Sequence, residues 1–269
     1  MAITTLNGLI AGARAPEEIL KVSGTMEGPG IWHSLAYGSG APGAAVAPTP
    51  GLNGAALTAY AGQIPFTNPT SGQSTYLSRV VASSTSIGAL RVYDRLWHNS
   101  GLVVTTTTAQ TITPVALPAR DRAGTTSGAG VLAALEVSTA TTNASPVTNC
   151  TISYTNSAGV AGRTGTMSSF PATAVAGTWV PFQLAAGDVG VRSVESVTLG
   201  TSLVTGAIHL VLYRSLLTLS VSSNNVGVEL NAVTGGMPQM YDNSVPFLLW
   251  LANAATGVNI IGQLAYAQG

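Results

Sequence analysis

Thr151-Ile152-Ser153-Tyr154-Thr155 decides how this chain is read, because Asn156-Ser157-Ala158-Gly159 and then Arg163-Thr164-Gly165-Thr166 follow it. Ile and Tyr alternate with hydroxyl residues, the period of a strand with one buried face. The Asn/Ser/Gly run predicts a reversal, and the second Thr-rich segment predicts the returning strand of a hairpin. Working outward, Val180–Leu184, Ser196–Leu199, Ile208–Tyr213, Val245–Leu251 and Val258–Ala267 have strand lengths on one side. On the other side Val131–Val137, Gln110–Thr113 and the β-branched run Val103–Thr108 do the same. Short strands separated by Gly/Pro/Ser turns predict an all-β chain, a β-sandwich or barrel-like domain over residues 76–269.

Residues 1–75 read differently. Ala15-Pro16-Glu17-Glu18-Ile19-Leu20-Lys21 has proline at a first helical position, early glutamates and a late lysine, which predicts one or two helical turns. From Gly28 to Gly72 the chain is dense in Gly, Pro and Ala, a composition of extended, poorly self-packed backbone. The expectation is an N-terminal arm that lies on another subunit or on the main domain.

Charge sets the strongest limit on function. Only 7% of the 269 residues are charged, against about 25% in a usual soluble chain. Ten basic and ten acidic side chains cancel, so no long-range repulsion keeps copies apart. The expectation is an assembly component whose surface is covered by neighbours. The cations, Lys21 and nine arginines, are scattered singly, which argues against a nucleic-acid partner. No apolar stretch approaches the roughly 20 residues of a spanning helix, so no membrane partner is expected. Met1-Ala2-Ile3-Thr4-Thr5 lacks a basic head and apolar core, so no secretory leader is expected.

Little of the chain offers chemistry. Cys150 is the single cysteine and reads as a small buried residue in a β-run; the sequons at Asn143 and Asn149 read as chance matches. His33, His98 and His209 have no ligand spacing, and His209 lies inside an expected strand. Asp94, His98 and Ser100 fall close together, but triad members come from separate elements; Tyr93–His98 reads as a strand end that fixes a loop. Nothing concentrates oxygen ligands around Asp94, Asp121 or Asp242 for calcium. No catalytic, metal or cofactor site is expected. The tryptophans Trp32, Trp97, Trp179 and Trp250 read as core or interface residues; Trp97 and Trp179 are the candidates for a glycan-stacking role.

Tyr93–Leu102 (YDRLWHNSGL), Ala116–Arg122 (ALPARDR), Glu136–Asn143 (EVSTATTN), Ile152–Thr166 (ISYTNSAGVAGRTGT) and Met240–Phe247 (MYDNSVPF) resemble structural proteins of tailed bacteriophages and prophages. The resemblance implies a virion component present in many copies, and it transfers no functional residue. A major capsid protein combines a long spine helix with a charged loop, and neither is visible. The favoured expectation is a head decoration (cement) protein, a symmetric homo-oligomer such as a trimer, bound to the major capsid protein and to copies of itself. The alternative is a tail or fibre adhesin that binds a host glycan.

Overall fold

The segment Thr151–Asn156 is a strand with Ile152 and Tyr154 buried, and Arg163–Thr166 returns antiparallel to it with Arg163 opposite Tyr154. The computed structural model describes residues 3–269. Met1 and Ala2, the start of the stretch read for a leader and for the arm, lie outside the described residues. One helix, α1 (Leu6–Ala11), precedes β1 (Glu17–Val22), β2 (Trp32–Ser34), β3 (Ser39–Ala41), β4 (Ala55–Ala56), β5 (Thr75–Ser84) and β6 (Gly88–His98). There follow β7 (Gln110–Thr111), β8 (Val131–Thr139), β9 (Thr151–Asn156), β10 (Arg163–Thr166), β11 (Thr178–Pro181) and β12 (Val191–Thr198). The last are β13 (Ala207–Val221), β14 (Val228–Asn231), β15 (Gln239–Met240), β16 (Pro246–Ala252) and β17 (Asn259–Gln268). The chain is all-β, as its alternation predicts.

Strand β13 pairs with both β8 and β6, and β11, β2 and β16 complete the circuit between them. Six antiparallel strands therefore close into a barrel, which removes their edges. Two sheets pack on its outside. One has the order β10-β9-β12-β7; the other has β14-β5-β17-β1-β3, with β15 also on β5.

Three cores follow from this layering. In β8, Val131, Ala133, Leu135 and Val137 face the β9–β12 sheet, while Ala134 and Glu136 point into the barrel. In β6, Leu90 and Val92 belong to the core under the β5–β17 sheet, and Leu96 and Trp97 to the core under the other. A register shift around Leu96, between Arg95↔Tyr213 and Trp97↔Leu212, is the bulge that allows the crossing. The barrel itself is plugged by Tyr93, Trp179, Tyr213 and Phe247, with Tyr93, Trp179 and Tyr213 in mutual contact at centroid separations of 5.1–5.6 Å.

Several expectations need correction. Residues Glu17–Lys21 lie in strand β1, not a helix: Ile19 and Lys21 are buried and their neighbours are not, the period of a sheet. Partners on both sides, β17 and β3, supply ladder bonds that an isolated helical turn would lack. The helix lies earlier, at α1, where Thr5 Oγ1 accepts from Gly8 N at 3.1 Å as N-cap. The N-terminal residues are not a separate arm up to residue 75. Strand β2 sits between β11 and β16 in the barrel wall, and Ile19, Met26, Leu35 and Ile64 are core residues. What is arm-like is the stretch 42–74, which is largely irregular and lies on the main domain through Leu57 and Ile64. Val103–Thr108 is no strand. Its backbone is satisfied by the Gln110 side chain at Val103 and by amides of Gly200 and Leu203.

The chain's one lysine shows how tightly the N-terminal part is built in. Lys21 Nζ donates to the carbonyls of Gly38, Pro42 and Gly43 at 3.1, 2.7 and 3.3 Å. Beside it Gly40, at φ +124°, passes so close to Leu20 that a Cβ would meet the Leu20 carbonyl oxygen. A chain beginning at Pro42 lacks β1, β2 and β3, so the barrel wall is broken. It should show no cooperative thermal transition by near-UV circular dichroism, whereas a chain beginning at Ala13 should melt as the full chain does.

Candidate interaction surface

Seven of the twenty charged side chains are buried: Lys21, Asp94, Arg95, Arg120, Asp121, Glu136 and Arg214. The accessible surface of 10774 Å² therefore carries about one better-exposed charge per 800 Å². Charge is spent inside this molecule and withheld from its exterior.

Inside the barrel, Arg95 Nη2 meets Glu136 Oε2 at 2.6 Å, with both side chains essentially inaccessible. Tyr37 Oη donates to the same carboxylate oxygen at 3.3 Å. Arg95 Nε donates to His98 Nδ1 at 3.1 Å, so His98 is neutral with its proton on Nε2. His209 Nδ1 donates to the Asn99 carbonyl at 2.9 Å and its Nε2 accepts from Ser138 Oγ at 2.7 Å, which makes it neutral too. Burial holds His33 down to about 4, against a weaker upward pull from Glu136. Burial, with Arg95 and His209 beside it, holds His98 down to about 2, and burial lowers His209 as well. Removing either partner of the Arg95–Glu136 pair should cost about 3–5 kcal/mol, because the other charge is then buried alone.

The sequence neighbours Asp94, His98 and Ser100 do not converge. Asp94 accepts from Ser244 Oγ and Val245 N and faces Arg120 and Arg214. His98 meets Arg95 and, edge-on, the Tyr60 ring at 4.6 Å. Ser100 Oγ accepts from Gly51 N. Asp121 accepts from Ala123, Thr125, Ser127, Gly128 and Ala129, a loop clasp of donors rather than a cation ligand. Among the described residues no cluster of His, Cys, Asp or Glu could hold a metal ion, and no helix is long and apolar enough to cross a membrane. Trp97 and Trp179, the glycan-stacking candidates, are both buried in cores, which corrects that assignment. Trp32 is half-buried, with the Arg91 guanidinium 4.0 Å from its ring centroid. Cys150 is buried, its thiol donating to the Leu199 carbonyl and pushed up to about 11 by burial.

The two outer sheets differ in what they present. On the β9–β12 sheet the outward positions include Ser153, Thr155, Thr164, Ser193 and Glu195. Thr155 and Ser193 hydroxyls both donate to Glu195. On the β1–β17–β5 sheet the outward positions mix polar residues (Glu18, Arg79, Asn259, Gln263) with exposed aliphatic ones: Leu20 is 45% exposed, Val22 41% and Ile261 59%. Leu20 lies opposite Ile261, and Ile261 opposite Ser83, so they form one cross-strand row. With Val81 this row lines a shallow trough of about 570 Å³, rimmed by Glu18, Arg79 and Gln263. A second, apolar hollow shares Arg79 and is lined by Leu9, Ile10 and Val233; Ile10 is 64% exposed and Val233 88%. Contiguous exposed aliphatic surface of this kind marks an interaction site. Sequence reading missed it because β1 reads there as a helix, which scatters Leu20 and Val22 onto different faces.

No family model matches this chain, and no curated protein matches it. A solved structure of the infectious bursal disease virus Gt strain aligns over 96% of this chain and 81% of that one, at 9% identity and a TM-score of 0.20. A score that low shows no common fold.

Each of the three neutral histidines resists a proton that the unfolded chain accepts below pH about 6.5, so stability falls as pH drops through that value. The slope is about 1.4 kcal/mol per pH unit per histidine, about 4 for all three together. Glu136, held below its usual range by Arg95 against the cost of burial, adds to the loss at lower pH; Asp94, pushed up by burial, opposes it. Acid unfolding should begin below pH 6 in near-UV circular dichroism, and His98→Gln should reduce its steepness by about one proton. Cys150 should react with a thiol reagent only at the rate of global unfolding, rising in parallel with denaturant.

Proposed function

We propose that this protein is a non-catalytic structural subunit of a virus particle, of the kind that decorates the head of a tailed bacteriophage. The observation that carries the reading is the exposed aliphatic row of Leu20 and Ile261, with Val22, on the outer face of the β1–β17–β5 sheet of a chain only 7% charged. A soluble monomer gains nothing from exposing Leu20, Val22, Ile10 and Ile261 together, whereas a subunit covered on that side buries them. Each isoleucine or leucine so covered is already about half buried and contributes roughly 1 kcal/mol of transfer free energy. The phage-like phrases at Tyr93–Leu102 and Ile152–Thr166 support a virion setting, with the major capsid protein and further copies of this chain as partners.

Arg95 and Glu136 pair with each other inside the barrel, and Ser138 with His209 lines none of the cavities described above or below, which supports a non-catalytic reading. Function is then mechanical. A single modest interface is weak after the cost of association, but the same contact repeated around a symmetric ring adds avidity. A closed barrel suits that work because it offers no free edge to peel.

Leu20→Glu together with Ile261→Glu puts like charges side by side on the sheet without touching a core. The double variant should keep the wild-type circular dichroism spectrum, sediment as a monomer, melt below the assembled wild type and fail to attach to particles. Attachment equal to wild type would remove the sheet face from the proposal. Gold labelling that finds the protein absent from purified particles would remove the virion role itself.

A further inference from the structure

A second site lies beneath Tyr241, at some distance in sequence from the sheet face, and it does not depend on the assembly reading. Asp94 is fully buried and faces two guanidinium groups, Arg120 Nε at 3.3 Å and Arg214 Nη2 at 3.7 Å. Its oxygens also accept from Ser244 Oγ at 3.2 Å and Val245 N at 2.8 Å, so the carboxylate is saturated. Arg120 spends Nη2 on the Arg95 carbonyl, and Arg214 spends Nη2 on the Gln239 carbonyl. Arg120 Nη1 and Arg214 Nε are left buried with no acceptor. Asp121, the next carboxylate along, is taken up by its own loop. Two buried cations thus share one carboxylate in direct contact, with Asp121 acting on Arg214 from its loop.

Arg120 lies in the lining of a cavity of about 470 Å³, together with Gln73, Ser74, Gln239, Tyr241, Asp242 and Asn243. We propose that this cavity binds a compact oxyanion, a carboxylate or a phosphoryl-type group, whose charge completes the Asp94–Arg120–Arg214 cluster. Buried guanidinium groups favour such partners because their field is little screened and their N–H geometry matches two oxygens. The neutral amides and hydroxyl of the walls supply further donors. Asp242, exposed at the rim, is screened by solvent and limits the ligand to a small one.

The test uses the full chain, melted in sodium phosphate, sulfate or acetate against sodium chloride at equal ionic strength. A bound anion gives a saturable rise in Tm of about 3 °C at tenfold its Kd. Ala119, exposed and lining the cavity, is replaced by tryptophan to fill it; Gln73→Trp does the same from a second exposed position. Either plugged variant should melt normally in chloride and lose the anion response. A response to acetate as well as phosphate assigns carboxylates to the site, and a response to phosphate and sulfate alone assigns tetrahedral oxyanions. No saturable rise in the wild type, or an equal rise in the plugged variants, overturns the proposal, the latter being the general effect of excluded salts.

Discussion

The ion pair between Arg95 and Glu136 is the constraint around which this structure is organised. Two opposite charges in a six-stranded barrel are tolerable only if they engage each other at close range. Tyr37 donates to Glu136 Oε2 and His98 accepts from Arg95 Nε, Glu136 Oε1 is left buried without a partner, and the Tyr93–Trp179–Tyr213–Phe247 cluster packs beside the pair. Arg95 reaches Glu136 because the bulge at Leu96 resets the strand: Arg95 stays inward while Leu96 and Trp97 turn to the outer core. A pair of this kind adds little net stability relative to apolar residues of the same size. Its effect is to fix one register of β6 against β13, since a one-residue slip would put Arg95 into an apolar core.

That internal use of charge explains the exterior. A chain with twenty charged groups that buries seven has little left with which to keep copies apart. The β9–β12 sheet compensates with hydroxyl groups that bond among themselves and to Glu195. The β1–β17–β5 sheet does not. The asymmetry between the two layers is what the proposed interface rests on, and composition alone contains no trace of it.

Fold class was legible because Ile152 and Tyr154 alternate with hydroxyl residues, and because the largely apolar runs Ile208–Tyr213 and Val258–Ala267 have strand length between turn residues. The strands misjudged were those whose partners are remote. Glu17–Val22 pairs with Asn259–Gln268, more than two hundred residues away, and locally its proline and glutamates mimic a helix start. Val103–Thr108 has strong β-propensity but no neighbouring strand edge to use it, so tertiary context overrides it. Closure of the barrel was equally invisible, because it depends on β13 being long enough to pair with β6 and β8 along different parts of its fifteen residues. For the surface, the charge deficit was readable, but which face lacks cover was not, since that follows from the side Leu20 takes in β1. The buried neighbours of Asp94 were unreadable for the same reason: Arg120 and Arg214 reach it from separate loops and strands.

The sheet with the aliphatic row also joins the first and last strands among the described residues. Strand β1 and strand β17 lie side by side there through six consecutive pairs, and Ser74 and Gly269 bond each other at its end. A neighbour seated on Leu20 and Ile261 would therefore cover the ladder that clasps the two ends of the fold. Opening that ladder exposes Ile19, Ile260 and Leu264 of the core beneath, and a bound partner adds its own binding free energy to the cost of doing so. Under the proposed assembly, binding and stability would be coupled through one layer. The subunit would be weakest alone, where the sheet face is wet, and strongest with the face covered, where separating β1 from β17 first requires removing the neighbour.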